Sequence, residues 1–184
     1  MTDAPTLPLR TERLVLRAAV LTDLPELLRY YGDAAVVRHL LHDVLDETGV
    51  AEKLERFQGN VAPAAVGDVL SLVVEHDGEV VGDLMLRFTF GDPPSVAEIG
   101  WVLNPSFAGQ GFATEAARAI IDVGFRHYGL HRIFAQLDAR NTSSARLCER
   151  LGMTKEAHFR RDFWNKGEWT DSMHYGLLRD EWAR

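Results

Sequence analysis

Residues 96–128 read VAEIGWVLNPSFAGQGFATEAARAIIDVGFRHY, a short apolar strand, a glycine loop and a long alanine-rich helix in succession. The run from Val96 to Leu103 ends at Asn104-Pro105, and from Ala113 onward Ala116, Ala117, Ile120 and Gly124 recur at helical spacing until Gly129 stops the helix after Tyr128. Gly109 and Gly111 stand just before that helix. Their unencumbered backbone N–H groups and the positive end of the helix dipole can together hold a diphosphate.

Working outward, residues 13–17 (RLVLR) alternate polar and apolar like a half-buried strand, and residues 1–9, with Pro5 and Pro8, read as a loose lead-in. Thr22-Asp23 followed by Pro25 caps a helix through Tyr31, on which Leu24, Leu27, Leu28 and Tyr31 share a face. A second helix is expected over residues 46–58, which leaves residues 39–45 as a lip beside a substrate. Two β-branched runs, LSLVVE and EVVGDLML, flank Asp77-Gly78 as a hairpin. Residues 91–95, with Pro93-Pro94, interrupt the chain before the organising strand. Downstream come a strand over residues 132–138, a helix opened by Asn141-Thr142-Ser143-Ser144 and ending near Gly152, and a closing hairpin of residues 155–163 and 169–178 around Asn165-Lys166-Gly167.

A chain of 184 residues, 46% hydrophobic and 26% charged, suits one domain spanning 1–184. No apolar run reaches the length of a bilayer span, and the N-terminus lacks the basic-then-apolar order of a signal peptide, so a cytoplasmic protein without a membrane partner is expected. Cys148 is the single cysteine, which rules out an intramolecular disulfide and fits a reducing compartment. The formal charge of −7 argues against general nucleic-acid binding, which needs a basic stripe. His39/His42 and His127/His131 have spacings seen in metal sites, but no cysteine or acidic cluster completes either, so they read as scattered surface histidines and no metal is expected.

Two diphosphate-bearing molecules compete for the glycine loop. A dinucleotide fold would match strand, Gly-x-Gly, helix, strand and a terminal Asp138, yet its third glycine is Thr114 here, and the five residues from Pro105 to Gly109 intervene between the Asn104 stop and Gln110. A P-loop fails because no lysine follows Gly111. The neighbours decide. RTERLVLRAAVLTDL, AEIGWVLNP, FAGQGFATEA, NTSSARLCERLGM and FWNKGEWTDSMHYGLLRDEW, in this order across nearly the whole chain, resemble the GNAT (Gcn5-related) N-acetyltransferases and within them the RimJ/RimL-like branch.

The resemblance implies a mixed α/β (α+β) fold, a central twisted, mostly antiparallel sheet of about seven strands with about four flanking helices, in which strands 4 and 5 splay to hold acetyl-CoA. It implies transfer of an acetyl group to a primary amine by direct attack in a ternary complex. The acceptor is a protein N-terminal α-amine of the ribosomal-protein-alanine type or a small-molecule amine. Alternatives are a non-catalytic acyl-CoA-binding or regulatory module on the same scaffold and, more remotely, a dinucleotide-dependent oxidoreductase. A monomer or a homodimer is equally compatible. By the same resemblance the diphosphate rests on Ala108, Gly109, Gln110, Gly111, Phe112, Ala113 and Thr114, where Ala108 replaces the family's usual Gln or Arg. Pantetheine runs like an added strand along Gly100, Trp101, Val102 and Leu103, and Asn141 meets it as an amide partner while capping its own helix.

The chemistry needs a neutral amine, a polarised carbonyl and a hydrogen-bond donor for the departing thiolate. Strand alternation sets Glu98 on one face with Val96, Gly100 and Val102, where family members carry a catalytic glutamate; pairing with an arginine is the bland alternative. Many relatives place a tyrosine acid where this chain has Cys148, which reads instead as a small buried apolar residue. Ser144, one helical turn earlier on the same face, is the candidate donor, as in RimL-like enzymes, and it also borders the cofactor. Asp171 interrupts the apolar register of Trp169, Met173, Tyr175 and Leu177, and is expected to be a buried acid near the cleft whose partner is an arginine such as Arg160 or Arg161 in the preferred reading, or a substrate amine in the other.

Overall fold

The computed structural model describes residues 4–91 and 94–182. Eight strands form one sheet in the order β1-β2-β3-β4-β5-β6-β8-β7. They are β1 (Leu9–Arg10), β2 (Val15–Arg17), β3 (Val69–His76), β4 (Glu79–Phe90), β5 (Val96–Leu103), β6 (Arg132–Asp138), β7 (Thr154–Asn165) and β8 (Glu168–Leu178). The helices are α1 (Leu24–Tyr31), α2 (Ala34–Val37), α3 (Glu47–Gly59), α4 (Phe112–Asp122), α5 (Thr142–Arg150) and α6 (Arg179–Trp182). The expectation of about seven strands and four helices is met with one short strand and two four-residue helices more. The splayed pair is therefore β5 and β6 rather than the fourth and fifth. The first strand begins at the last residue of the expected lead-in, where Leu9 pairs with Leu16, and Arg10 then pairs with Val15.

Two hairpins follow from turn chemistry. Asp77-Gly78 (φ 49° and 84°) and Lys166-Gly167 (φ 50° and 83°) both take the left-handed pair that a two-residue turn with native strand twist requires. The connection from β4 to β5 is the 91–95 interruption, of which Asp92 and Pro93 lie outside the described residues. Asn141 caps α5 through its Oδ1, which accepts from Ser144 N at 3.1 Å, and Asp46 caps α3 by accepting from Gly49 N at 2.9 Å.

The sheet is covered on both faces. Leu16, Leu72, Leu84, Leu86 and Ile99 pack with Ile120 of α4 and Leu147 of α5 on one side. On the other, Leu27, Tyr30, Tyr31 and Leu54 of α1 and α3 pack on Val73 and Val80. Alternation along β5 therefore sends Ala97 and Ile99 to the α4 side and Val102 to the α1 side. A buried polar knot ties down the second layer. Asp83 of β4 accepts from the hydroxyls of Tyr30 (2.8 Å) and Tyr31 (2.8 and 3.0 Å). The Lys53 ammonium lies 4.5 Å from the centre of the Tyr31 ring. Burial pushes the Asp83 carboxyl up, against the opposing pull of Lys53 and the two tyrosines, and pushes Lys53 down.

The feature that matters for function is where backbone pairing stops. β5 and β6 run parallel and pair only at Val96↔Arg132, Ala97↔Ile133 and Glu98↔Phe134. Beyond that vertex β6 continues to pair with β8 as far as Asp138↔Ser172, while β5 stays paired with β4 to Gly82↔Leu103. The two arms diverge, and residues 99–103 have no β6 partner.

Candidate active site in the splay between two parallel strands

The loop between β5 and α4 explains its own glycines. Asn104 accepts from Ser106 N at 3.0 Å and starts a single 3-10 turn, Pro105–Phe107. Gly109 and Gly111 then have φ of 79° and 82°, a region costly for any residue with a Cβ. Gly111 N-caps α4.

Counting donors sharpens the site. Ala108 N is already bound to Pro105 O at 3.0 Å and Thr114 N to Gly111 O at 3.1 Å. Among the described residues, the N–H groups of Gly109, Gln110, Gly111, Phe112 and Ala113 have no internal acceptor. Five consecutive N–H groups without an acceptor at a helix N-terminus are donors that an anion could take up, and we refer to this loop as the cradle. Of the seven loop residues taken from the sequence, Ala108 and Thr114 thus frame the cradle with their backbone N–H groups spent internally. A Cβ built on Gly109 would meet nothing within 4 Å, so the cradle is open.

Along the β5 arm, Gly100, Trp101, Val102 and Leu103 are half-buried. A Cβ on Gly100 would stand 2.8 Å from Met85 Cε; the close approach at this glycine is made by the cross-strand methionine. Trp101 faces the α5 side, and its Nε1–H donates to Ser144 Oγ at 3.1 Å. That bond crosses from the β5 arm to the helix that follows the β6 arm. Because Ser144 Oγ accepts from the indole, its own proton is left to donate. Cys148, one turn on, is fully buried, and burial pushes its thiol up to about 12, which makes it a neutral packing residue.

On the α1 side of the vertex, Glu98 Oε2 lies 3.5 Å from Arg87 Nη1, its cross-strand partner, with the carboxylate side chain 22% exposed. The arginine pairing foreseen as the bland reading is present. At the far end of the β6 arm, Asp138 accepts from Arg140 at 2.7 and 3.0 Å. Burial works to raise the Asp138 carboxyl, but the Arg140 hydrogen bonds hold it below the usual carboxylate range. His39 Nδ1 stands 3.7 Å from Asp138 Oδ2 and has no hydrogen-bond partner among the described residues. His39 is therefore a half-buried residue set against the end of the β6 arm and not a scattered surface histidine. Sequence spacing cannot reveal this, because the contact joins positions 39 and 138 across the fold. The 39–45 stretch and the end of α2 before it are strapped to the β7–β8 turn: Asn165 Nδ2 donates to Leu40 O at 3.3 Å and Lys166 Nζ to Val37 O, at the end of α2, at 2.6 Å.

Asp171 departs from expectation. Its side chain is 37% exposed rather than buried, and its partners are His158 Nε2 (2.9 Å) and the backbone N–H of Arg161 (2.9 Å), not a guanidinium. Among the described residues no group of three or more His, Cys, Asp or Glu side chains is placed to hold a metal ion, and no helix is long and apolar enough to cross a membrane.

Comparison with known proteins agrees with this fold. Residues 13–154 match the model of the acetyltransferase (GNAT) domain. The chain is 29% identical over 172 residues to the uncharacterized N-acetyltransferase YnaD of Bacillus subtilis (strain 168), covering 94% of this chain and 97% of that protein. The crystal structure of an acetyltransferase (GNAT family) from Bacillus anthracis superposes with a TM-score of 0.85 at 29% identity, covering 95% of this chain and 100% of the other. The spermidine N-acetyltransferase from Vibrio cholerae, solved in complex with CoA and spermine, superposes with a TM-score of 0.77 at 20% identity over 95% and 100% of the two chains.

Proposed function

The chain belongs to the GNAT acetyltransferase family, and from that premise we propose that residues 1–184 form one acetyltransferase domain that moves an acetyl group from acetyl-CoA to a primary amine within a ternary complex. The observation that carries the reading is the coincidence of two sets of unspent backbone groups. The cradle of N–H groups at 109–113 suits a diphosphate, and the unpaired β5 edge at 99–103 suits the amides of a pantetheine laid on as an extra strand. The two are joined by the Asn104 turn, so one extended molecule reaches both.

The amine nitrogen attacks the thioester carbon, the C–S bond breaks, and coenzyme A leaves as the thiolate. Glu98, on the α1 side of the vertex, accepts the proton lost by the amine, directly or through a water. Ser144 Oγ, oriented by Trp101, donates a hydrogen bond to the departing sulfur. Asn141 offers its amide to pantetheine from the opposite arm.

The RimJ/RimL resemblance favours a protein N-terminal amine, while the spermidine enzyme among the structural neighbours keeps polyamines in view. Chemistry separates the two. An N-terminal amine with a pKa of about 7.8 is roughly a tenth neutral at pH 7, whereas a lysine-like amine near ~10.4 is about 400-fold less so, a gap of roughly 3.5 kcal/mol. A polyamine or lysine acceptor therefore depends more on the base. The test has two stages. Coenzyme A, and not NAD, should raise the melting temperature. A panel of peptides, polyamines and aminoglycosides scored by acceptor mass should then return acetylated product, with Glu98→Gln slowing polyamines and lysines more than N-terminal peptides. Thermal stabilisation by coenzyme A with no acetylated product would point to the binding module; stabilisation by NAD alone would refute the reading.

A further inference from the structure

The RTERLVLR motif at the N-terminus has no part in the chemistry above, yet the structure brings it against the glycine loop. Glu115, in the first turn of α4, receives four donors from the turn between β1 and β2. Thr11 Oγ1 donates to Oε1 at 2.6 Å and Arg13 N to the same oxygen at 2.8 Å. Arg13 Nε donates to Oε2 at 2.8 Å, and Nη2 lies 2.6 Å from that oxygen. The remaining arm of the guanidinium, Nη1, donates to Gln110 O at 2.9 Å, and the group lies 4.8 Å from the centre of the Phe112 ring. One side chain thus touches three residues of the loop and helix start, reaching bonds 97 and 102 positions away in sequence.

The consequence for the loop follows from peptide geometry. Gln110 C=O and Gly111 N–H belong to one planar trans unit and point in opposite directions. Drawing the carbonyl toward Arg13 therefore aims the Gly111 N–H away from Arg13, and a hydrogen-bonded carbonyl makes the N–H of the same unit a better donor. The plane turns about the Cα of Gln110 and the Cα of Gly111, and Gly111, at φ 82°, has no Cβ to restrict it, so an external tether at the Gln110 carbonyl narrows the orientations this peptide plane can take. The second consequence is electrostatic. An unpaired Glu115 carboxylate in the first turn would compete with any anion for the helix N-terminus, and the bidentate arginine neutralises it there.

We propose that Arg13 is the positioning residue of the anion cradle, fixing the Gln110–Gly111 peptide plane and neutralising Glu115 so that residues 109–113 present their N–H groups to a diphosphate. This rests on the reading that the cradle holds the diphosphate of acetyl-CoA. Arg13 touches neither the reacting atoms nor the acceptor side of the sheet.

The experiment compares acetyl-CoA with S-acetylpantetheine, which carries the same thioester and pantetheine and no diphosphate. Values of kcat/KM are measured for both donors with wild type, Arg13→Ala and Arg13→Lys, alongside melting temperatures. The lysine variant can pair with Glu115 but cannot reach Glu115 and Gln110 O at once, so it serves where the alanine variant folds poorly. The expected result is that the acetyl-CoA to acetylpantetheine ratio of kcat/KM falls about tenfold in both variants, through KM for acetyl-CoA with kcat preserved, as the loss of one charge-assisted hydrogen bond would produce. An equal loss with both donors would show Arg13 to be only structural and overturn the proposal. A wild-type enzyme with no preference for acetyl-CoA over acetylpantetheine would instead refute the diphosphate reading of the loop itself.

Discussion

Replacing Ser144 with alanine is expected to slow turnover at saturating acetyl-CoA by about 10- to 150-fold. The magnitude follows from the single bond seen at this hydroxyl. Trp101 Nε1–H occupies a lone pair of Ser144 Oγ at 3.1 Å, so the free proton can be given to a thiolate, and a hydrogen bond to a charged partner is worth about 1.5–3 kcal/mol, which at ~1.4 kcal/mol per decade gives that range. Trp101→Phe leaves the hydroxyl but removes its tether, a neutral bond worth about 1 kcal/mol or roughly fivefold in rate. In the Ser144→Ala background the same change should add nothing, since the tether then has nothing to hold. Cys148→Ala should change kcat by less than about twofold while costing roughly 1 kcal/mol of stability for the sulfur lost from a closed core. The assay is release of coenzyme A thiol with the acceptor that the panel returns. A tenfold loss confined to Cys148→Ala, or full additivity of Trp101→Phe and Ser144→Ala, would refute this assignment.

Two further outcomes concern the supports of the site. Tyr31→Phe removes the hydroxyl that reaches both oxygens of buried Asp83 and is expected to cost about 1.5–3 kcal/mol in denaturant unfolding; a change within about 0.5 kcal/mol would mean the carboxyl is protonated and needs fewer donors. Burial alone would raise the Glu115 carboxyl, but its bonds to Thr11 and Arg13 hold it below its ordinary value of 4.5. A depressed acid adds stability that is present above the unfolded pKa and is lost as pH falls through the folded one. Wild type should therefore exceed Glu115→Gln in stability at neutral pH, with the gap closing below pH 4.5; a gap unchanged down to about pH 2 would contradict the clamp.

Those parts of the fold that rest on local chemistry were legible in the chain. The bounds of β5 and β6 and the two glycine-containing hairpin turns agree with periodicity and turn residues, because alternation, Asn-Pro stops and left-handed turn positions are written within a few residues of where they act. What was not legible depends on distant pairs. β1 is two residues long and exists through its register with β2, so no local pattern announces it. Asp83 sits inside an apolar run and is accommodated by tyrosines 52 and 53 positions away. The same holds at the candidate site, where Glu98 and Ser144 are nameable from their strand and helix, but the Trp101 tether, the His39 contact with Asp138 and the Arg13 clamp each join segments far apart in sequence.

These long-range side-chain bonds have a common physical effect. Backbone N–H and C=O groups inside a folded chain are ordinarily consumed by other backbone groups, and a strand edge or helix N-terminus left open tends to be closed by its neighbours. Here the arms of the splay are bridged by an indole and a hydroxyl in place of a ladder, and the glycine loop is tethered through one carbonyl and one carboxylate, neither of which uses an N–H of residues 109–113. Side chains therefore provide the rigidity that backbone pairing would otherwise provide, and the backbone donors remain for a ligand. Substituting Trp101 or Arg13 should loosen this arrangement without occupying a donor, which is why Arg13 is expected to act through affinity for acetyl-CoA and Trp101 through the orientation of Ser144.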